Sequence, residues 1–293
     1  GGNININTLF KSWEVVSALL DVSGASGGTI KHFAGQEITT SGEYLAIGTA
    51  GAGGSIDVTA NTLKFMSNTI DASGTMGGGS IRLGGEYQGG KNLVTDEILN
   101  AKFLFMTDAA NITARTTGTD GAGGRVIAWA DQYAFVSGQF DVTPGTNSGA
   151  GGFVEVSSGE TLAFDGSVRA SVDNRTGTLL LDPKSITVMS PCSSGDTNPD
   201  CMGIARLTDF TRNRANHIST TPTTITTVLN GGTNVELQAY RDINIKNDIT
   251  VNRTSGDDGN FSMRAGRRIT IEAAITTDNR DLTLDANNCT GVN

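Results

Sequence analysis

The sequence predicts an all-β fold: a parallel β-helix with three short strands per rung and one short helical and loop insertion. Three observations carry this expectation. Glycine pairs recur at Gly1-Gly2, Gly27-Gly28, Gly53-Gly54, Gly78-Gly79, Gly123-Gly124 and Gly151-Gly152, in steps of 26, 26, 25, 45 and 28 residues. The units between them align without gaps. "GGSIDVTANTLKFMSNTIDAS" from Gly53 lies on "GGRVIAWADQYAFVSGQFDVT" from Gly123, and "GGFVEVSSGETLAFDGSVRAS" from Gly151 lies on both. Within each unit the runs are only three to five residues long and alternate apolar with polar, so each has one face to bury. Runs this short are marginal as isolated hairpins. Stacked unit on unit, every run gains a neighbour above and below.

The alignment puts Ile56, Val126 and Val154 in one column, Phe65 and Phe135 in a second, and Ile70, Phe140 and Val168 in a third. In "TIDASGTMGGGSIRLGG" (69–85), Ile70 is then the buried residue of a third strand. Asp71 to Gly74 leaves through a turn, the glycines round a corner, and Ser80-Ile81-Arg82-Leu83 opens the next rung. The 45-residue step reads as two rungs or as one with a long loop. Asn92 to Leu104 interrupts the pattern as an extended loop or irregular rung. Cys192 to Asn230 is the larger departure. There "TTPTTITTVLN" offers Thr221 as N-cap, Pro222 as first helical residue and Gly231-Gly232 as the stop. The repeat then resumes: "NVELQAYRDINIKNDITV" from Asn234 matches "NFSMRAGRRITIEAAITT" from Asn260, and "DLTLDAN" from Asp281 begins another copy. The expected organisation is rungs over 1–190, a disulfide loop with a short helix over 191–232, and further rungs over 233–293. About twelve rungs would give a rod of roughly 55 Å.

Composition narrows the function. A net charge of −9 with 17% charged residues argues against a nucleic-acid binder, which would carry a basic face. Thirty-nine glycines against five prolines fit repeated turns better than collagen or disorder. No run reaches the length of a membrane-spanning helix. The chain opens in strand pattern without Met and reads as a mature or excised piece of something longer. Of three cysteines, Cys192 and Cys201 flank a polar, turn-rich stretch that could close as a disulfide, a feature of oxidising compartments, or carry two free thiols. Cys289 is left over. No CxxC is present, and His32 and His217 lie far away in sequence.

The strings "TIDASGTMGGGSIRLGGEYQGG" (69–90), "GGRVIAWADQYAFVSGQFDV" (123–142), "NSGAGGFVEVSSGETLAFDGSV" (147–168) and "TGTLLLDPKSITV" (176–188) resemble the passenger region of filamentous-haemagglutinin-like two-partner-secretion exoproteins. The resemblance implies a right-handed parallel β-helix. It also implies export through an outer-membrane partner transporter of the TpsB type, and release or display at the surface of a Gram-negative bacterium. It implies an adhesin or fibre segment: a stalk and binding surface for host cells, glycans or matrix, with end-to-end self-assembly as a further expectation. A haemophore-like member capturing a host haem carrier through long loops is the alternative, and a polysaccharide-acting β-helix enzyme a third. The NPNL- and NPNGI-like motifs of the family's secretion domain are absent; the nearest string is "TNPD" at 197–200. The chain therefore reads as a downstream part of the passenger.

Chemistry in the sequence is sparse. A glycosidase needs two carboxylates about 5–10 Å apart. The column of Asp57 continues as Ile127 and Glu155, and that of Asp71 and Asp141 reaches Arg169, so no acid pair forms and no enzyme is expected. Asp120 and Asp257-Asp258 sit in turns without a calcium-repeat pattern. No cofactor, metal or membrane insertion is expected. Aromatic candidates for a sugar-stacking patch are Trp13, Tyr87, Trp129, Tyr133 and Tyr240. Trp129, aligned with Thr59 and Ser157, is expected at an outward or corner position, as the best candidate for a surface contact or else as an ordinary solvent-shielding aromatic. Asn111, Asn174, Asn252, Asn260 and Asn288 match the N-glycosylation pattern, a number that chance supplies in an Asn- and Thr-rich chain.

Overall fold

The computed structural model describes residues 1–13, 18–90, 98–190, 219–252 and 259–287. Among these residues the strands pair in parallel, turn on turn, in a β-solenoid of about nine turns with one short α-helix. The first face runs from Asn3–Thr8 through Ser80–Leu83, Arg125–Ala130, Phe153–Ser158, Thr178–Asp182 and Asn234–Ala239 to Leu282–Ala286. The second face begins at Lys11–Trp13 and includes Phe103–Met106, Tyr133–Val136 and Thr161–Phe164. The third runs from Leu19–Asp21 through Thr69–Asp71 to Ser167–Arg169. Thr29–Thr40 and Ser55–Phe65 pass from first face to second without a break.

Inward residues stack in columns. Ile30, Ile56, Ile81, Val126 and Val154 form one, and Tyr44, Ile70, Ile112 and Phe140 another. All are essentially solvent-free, so one continuous apolar core fills the solenoid. The glycine pairs mark the corner between third and first faces. A Cβ on Gly53 would collide with the carbonyl oxygen of Ala72 and approach Gly79 N to 2.9 Å. Here glycine answers the closeness of neighbouring backbones rather than an unusual dihedral.

Two sequence expectations need correction. Twelve rungs become about nine, and at about 4.8 Å per turn the stack is nearer 43 Å than 55 Å. The reason is insertion. Ser80 to Arg125 is a single turn, and so is Thr178 to Asn234. Leu104 belongs to a regular strand paired with Thr62–Phe65 and Tyr133–Val136. Of the interruption expected before it, 92–97 lies outside the described residues.

The shared column of Phe65 and Phe135 is also wrong. Phe65 stacks on Met106 and Val136, while Phe135 stacks on Phe105 and Lys64. Only Asn61 separates the first-face and second-face segments of one turn, whereas Asp131 and Gln132 separate them in the other. One extra corner residue turns every following side chain to the opposite face. A shorter corner before Gln139 restores the register, so Ile70, Phe140 and Val168 do share a column, with Ile112 between the first two.

The helix spans Pro222–Asn230. Thr221 caps it, its hydroxyl accepting from Thr224 N–H at 3.0 Å, and Gly231-Gly232 end it, with Gly232 in the left-handed region. It packs between Ser167–Arg169 and Ile249–Thr250, taking the place of one third-face strand. A helix about 10 Å across fills the roughly two rung spacings that a missing strand leaves. Cys192, Cys201 and Cys289 lie outside the described residues.

Candidate functional site

Solvent-facing positions of a solenoid sheet are ordinarily polar and wet, but on the first face many are buried. Ile127, Glu155, Ser157 and Leu180 point away from the core and are 1% exposed or less. The cover is a strap that leaves the stack after Leu83 and returns before Phe103, of which Gly84–Gly90 and Ile98–Lys102 are described. Three glycines with positive φ, Gly84, Gly85 and Gly89, lay it on Trp129. A Cβ on Gly89 would stand 2.6 Å from the indole Cζ2, and one on Gly85 2.7 Å from Cδ1.

Trp129 does face outward, but beneath the strap it is 5% exposed. Of the two sequence readings it takes the solvent-shielding one, as an anchor for the strap, and is not a surface contact. Its Nε1–H donates to Asp131 Oδ1 at 2.9 Å, and Asn100 Nδ2 donates to the same oxygen at 2.9 Å and to Gly89 O at 3.1 Å. Gly89→Val should therefore peel the strap. It should redden the Trp129 emission in a Trp13→Phe background, open the strap to limited proteolysis, and cost about 2 kcal/mol.

Two polar networks lie under and beside the strap. In the first, Arg82 clasps Asp57 with two hydrogen bonds of 2.7 Å and donates to Glu86 Oε2 at 2.8 Å, while Arg125 reaches Glu86 Oε1 at 2.7 Å. The Asp57 contacts, then those to Glu86, keep the Arg82 guanidinium charged despite its burial. Burial alone would push Glu86 up; the Tyr87 amide, Arg82 and Arg125 together hold it below its ordinary value. Arg125 also lies 5.6 Å from the ring centre of Tyr87 and 5.9 Å from that of Phe153.

In the second network Gln88, itself in the left-handed region at φ 50°, hooks into the sheet. Its amide donates to Glu155 Oε1 at 3.0 Å, and its side-chain Nε2 donates to Asp182 Oδ2 at 3.1 Å and Gln238 Oε1 at 2.8 Å. Burial raises the Glu155 carboxyl to about 8; Asp182 adds to the rise, while the Gln88 amide, Ser157 and Arg125 oppose it. The folded state thus keeps a proton that the unfolded chain releases above its ordinary value of 4.5. Stability contributed here is greatest below pH 4.5 and falls as pH rises toward 8. Glu155→Gln should flatten that slope and melt higher than wild type at pH 8.5, as thermal melts across pH 4–9 would register.

On the second face, four aromatic rings stand half-exposed on the outer side of two adjacent turns. Phe103 stacks on Tyr133 at 5.8 Å and Phe105 on Phe135 at 5.6 Å. Of the aromatics singled out in the sequence, Tyr133 thus joins an aromatic grid and Tyr87 the strap, while Tyr240 is exposed elsewhere. Asn111, Asn174, Asn252 and Asn260 are exposed, and Asn288 lies outside the described residues. Asp71 and Asp141 are separated by the Thr113 strand, two rungs apart. Among the described residues no three His, Cys, Asp or Glu side chains are grouped to hold a metal ion.

Neither a family model nor a curated protein matches this chain.

Proposed function

We propose that this chain is a segment of a secreted or surface-displayed bacterial adhesin, a stiff spacer that binds through its outer faces and carries no catalysis. The observation that carries the reading is the half-exposed grid of Phe103, Phe105, Tyr133 and Phe135 on a stack whose core columns fix it rigidly. Aromatic rings on a preordered surface contact sugars and proteins at low entropic cost. The resemblance of 69–188 to two-partner-secretion passengers supports the rest: export through an outer-membrane TpsB-type transporter, extracellular placement, and a host cell, glycan or matrix ligand.

The test is adhesion of the purified chain to cultured cells and to immobilised glycans and matrix proteins. Wild type should bind. A Tyr133→Ser/Phe135→Ser double variant should lose at least tenfold in affinity while keeping its β-type circular dichroism. Binding to no surface, or unchanged binding by the variant, would overturn the reading. Reproducible cleavage of a polysaccharide, lost on one Asp→Asn change, would overturn its non-catalytic part.

A further inference from the structure

Beside the strap, on the outer side of the first face, two cavities of about 510 and 380 Å³ adjoin. They share Phe33, Thr59, Ile98 and Leu99, so they form one trough floored by the sheet and walled by the returning limb of the strap. Each volume lies within the range of ordinary small-molecule sites. Along the strand the trough runs from Lys31 past Phe33 to Gly35, about 13 Å; across the rungs Asn7, Phe33 and Thr59 span about 10 Å. That is room for one or two pyranose rings. Phe33, half-buried at its centre, offers an apolar floor, and Asn7 and Asn61 bring amide donors and acceptors from either side.

The charge at one end is distinctive. Asp57 and Glu86 are engaged by Arg82 and Arg125, and among the described lining residues Lys31 is a cation outside that network. Lys31 is exposed, lines the trough and makes no ion pair among the described residues. At that end Lys31 and Arg82 stand against Asp57, one positive charge in excess, whereas the whole trough, with Glu86 and Asp131, carries three carboxylates to two cations among its described lining residues. The acidic end, with Asp131, is on the far side. Resting on the adhesin reading above, we propose that this trough binds a carboxylated sugar, a uronic or sialic acid residue. Its carboxylate pairs with Lys31, its ring lies over Phe33, and its hydroxyls meet Asn7 and the strap wall.

The experiment is titration of the whole chain with N-acetylneuraminic acid and glucuronic acid, and with their neutral counterparts N-acetylneuraminic acid methyl ester and glucose, followed by ligand-observed NMR and calorimetry. At least one acid should bind tenfold or more tightly than its neutral counterpart, and the two acids together tell which class the trough prefers. Lys31→Ala should abolish that preference, and Lys31→Arg should restore part of it. Lys184→Ala, far along the rod, should change nothing. Phe33→Ala should weaken both acidic and neutral sugars; if it does not fold, the exposed Lys31 variants still decide. Equal binding of acidic and neutral sugars, or wild-type binding by Lys31→Ala, overturns the proposal. The adhesion assay separates the two readings. Adhesion without sugar binding sinks the trough alone, whereas sugar binding without adhesion leaves the trough and sinks the adhesin.

Discussion

Ile70→Asp should abolish cooperative folding or cost at least about 4 kcal/mol, the largest effect of any single change considered. Ile70 is fully buried between Tyr44 above and Ile112 below, in a column continued by Phe140. A carboxylate there would lie between the Tyr44 ring and Ile112 in the closed core, with no route to water without separating rungs. The damage spreads because each rung is the template for the next. Asn111→Asp, an exposed change one rung away on the same face, should stay within about 0.5 kcal/mol. Denaturant melts of the two variants make the comparison. If Ile70→Asp melts within a degree or two of wild type, the column is misassigned.

Arg82→Met should rank second, at about 3 kcal/mol. The change keeps most of the side chain's apolar contacts but leaves Asp57, 7% exposed, without the guanidinium that satisfies it, while Glu86 loses one partner and keeps Arg125 and the Tyr87 amide. Removing one partner of a buried ion pair costs more than the pair contributes, because the remaining charge has lost its solvation and gained nothing. Two consequences distinguish this from a general packing defect. Adding Asp57→Asn to Arg82→Met should recover part of the loss. The wild-type contribution should also survive high salt, which screens exposed pairs but reaches buried ones poorly. A double-mutant cycle in low and high salt reads both.

How much of this was legible follows from which interactions are local to a repeat. The glycine pairs, the alternation and the C-terminal 26-residue match report rung-on-rung contacts, and sequence exposes them because the same side chains recur at the same step. The helix was legible for a related reason: Thr221, Pro222 and Gly231-Gly232 are short-range signals. Corners were not, since one extra residue at Asp131-Gln132 leaves no mark in a gapless alignment yet moves Phe135 from the core column to the outer grid. The strap was the larger omission. Gln88 bonds Gln238 across 150 residues, a contact no periodicity encodes. A signal was nevertheless present. "VIAWA" and "TLLLD" are nearly continuous apolar runs, and a strand that drops its alternation is covered on both faces. Read that way, Ile127, Trp129 and Leu180 ask for a cover, and the solvent-shielding reading of Trp129 prevails over the surface contact.

Rungs stacked in register place equivalent positions at a constant spacing, and measuring that spacing tests the fold most directly. Leu19, Glu43, Thr69 and Ser167 occupy exposed sites at the start of third-face strands, the first three on successive rungs and Ser167 three rungs beyond Thr69. Spin labels would be placed pairwise at Ser167 with each of the other three, with Cys192, Cys201 and Cys289 replaced by Ser, and read by dipolar spectroscopy. The account predicts backbone separations of about 14, 19 and 24 Å for Thr69, Glu43 and Leu19, one increment of about 4.8 Å per rung. Distances that do not grow by a constant step, or that fall in a different order, would contradict it.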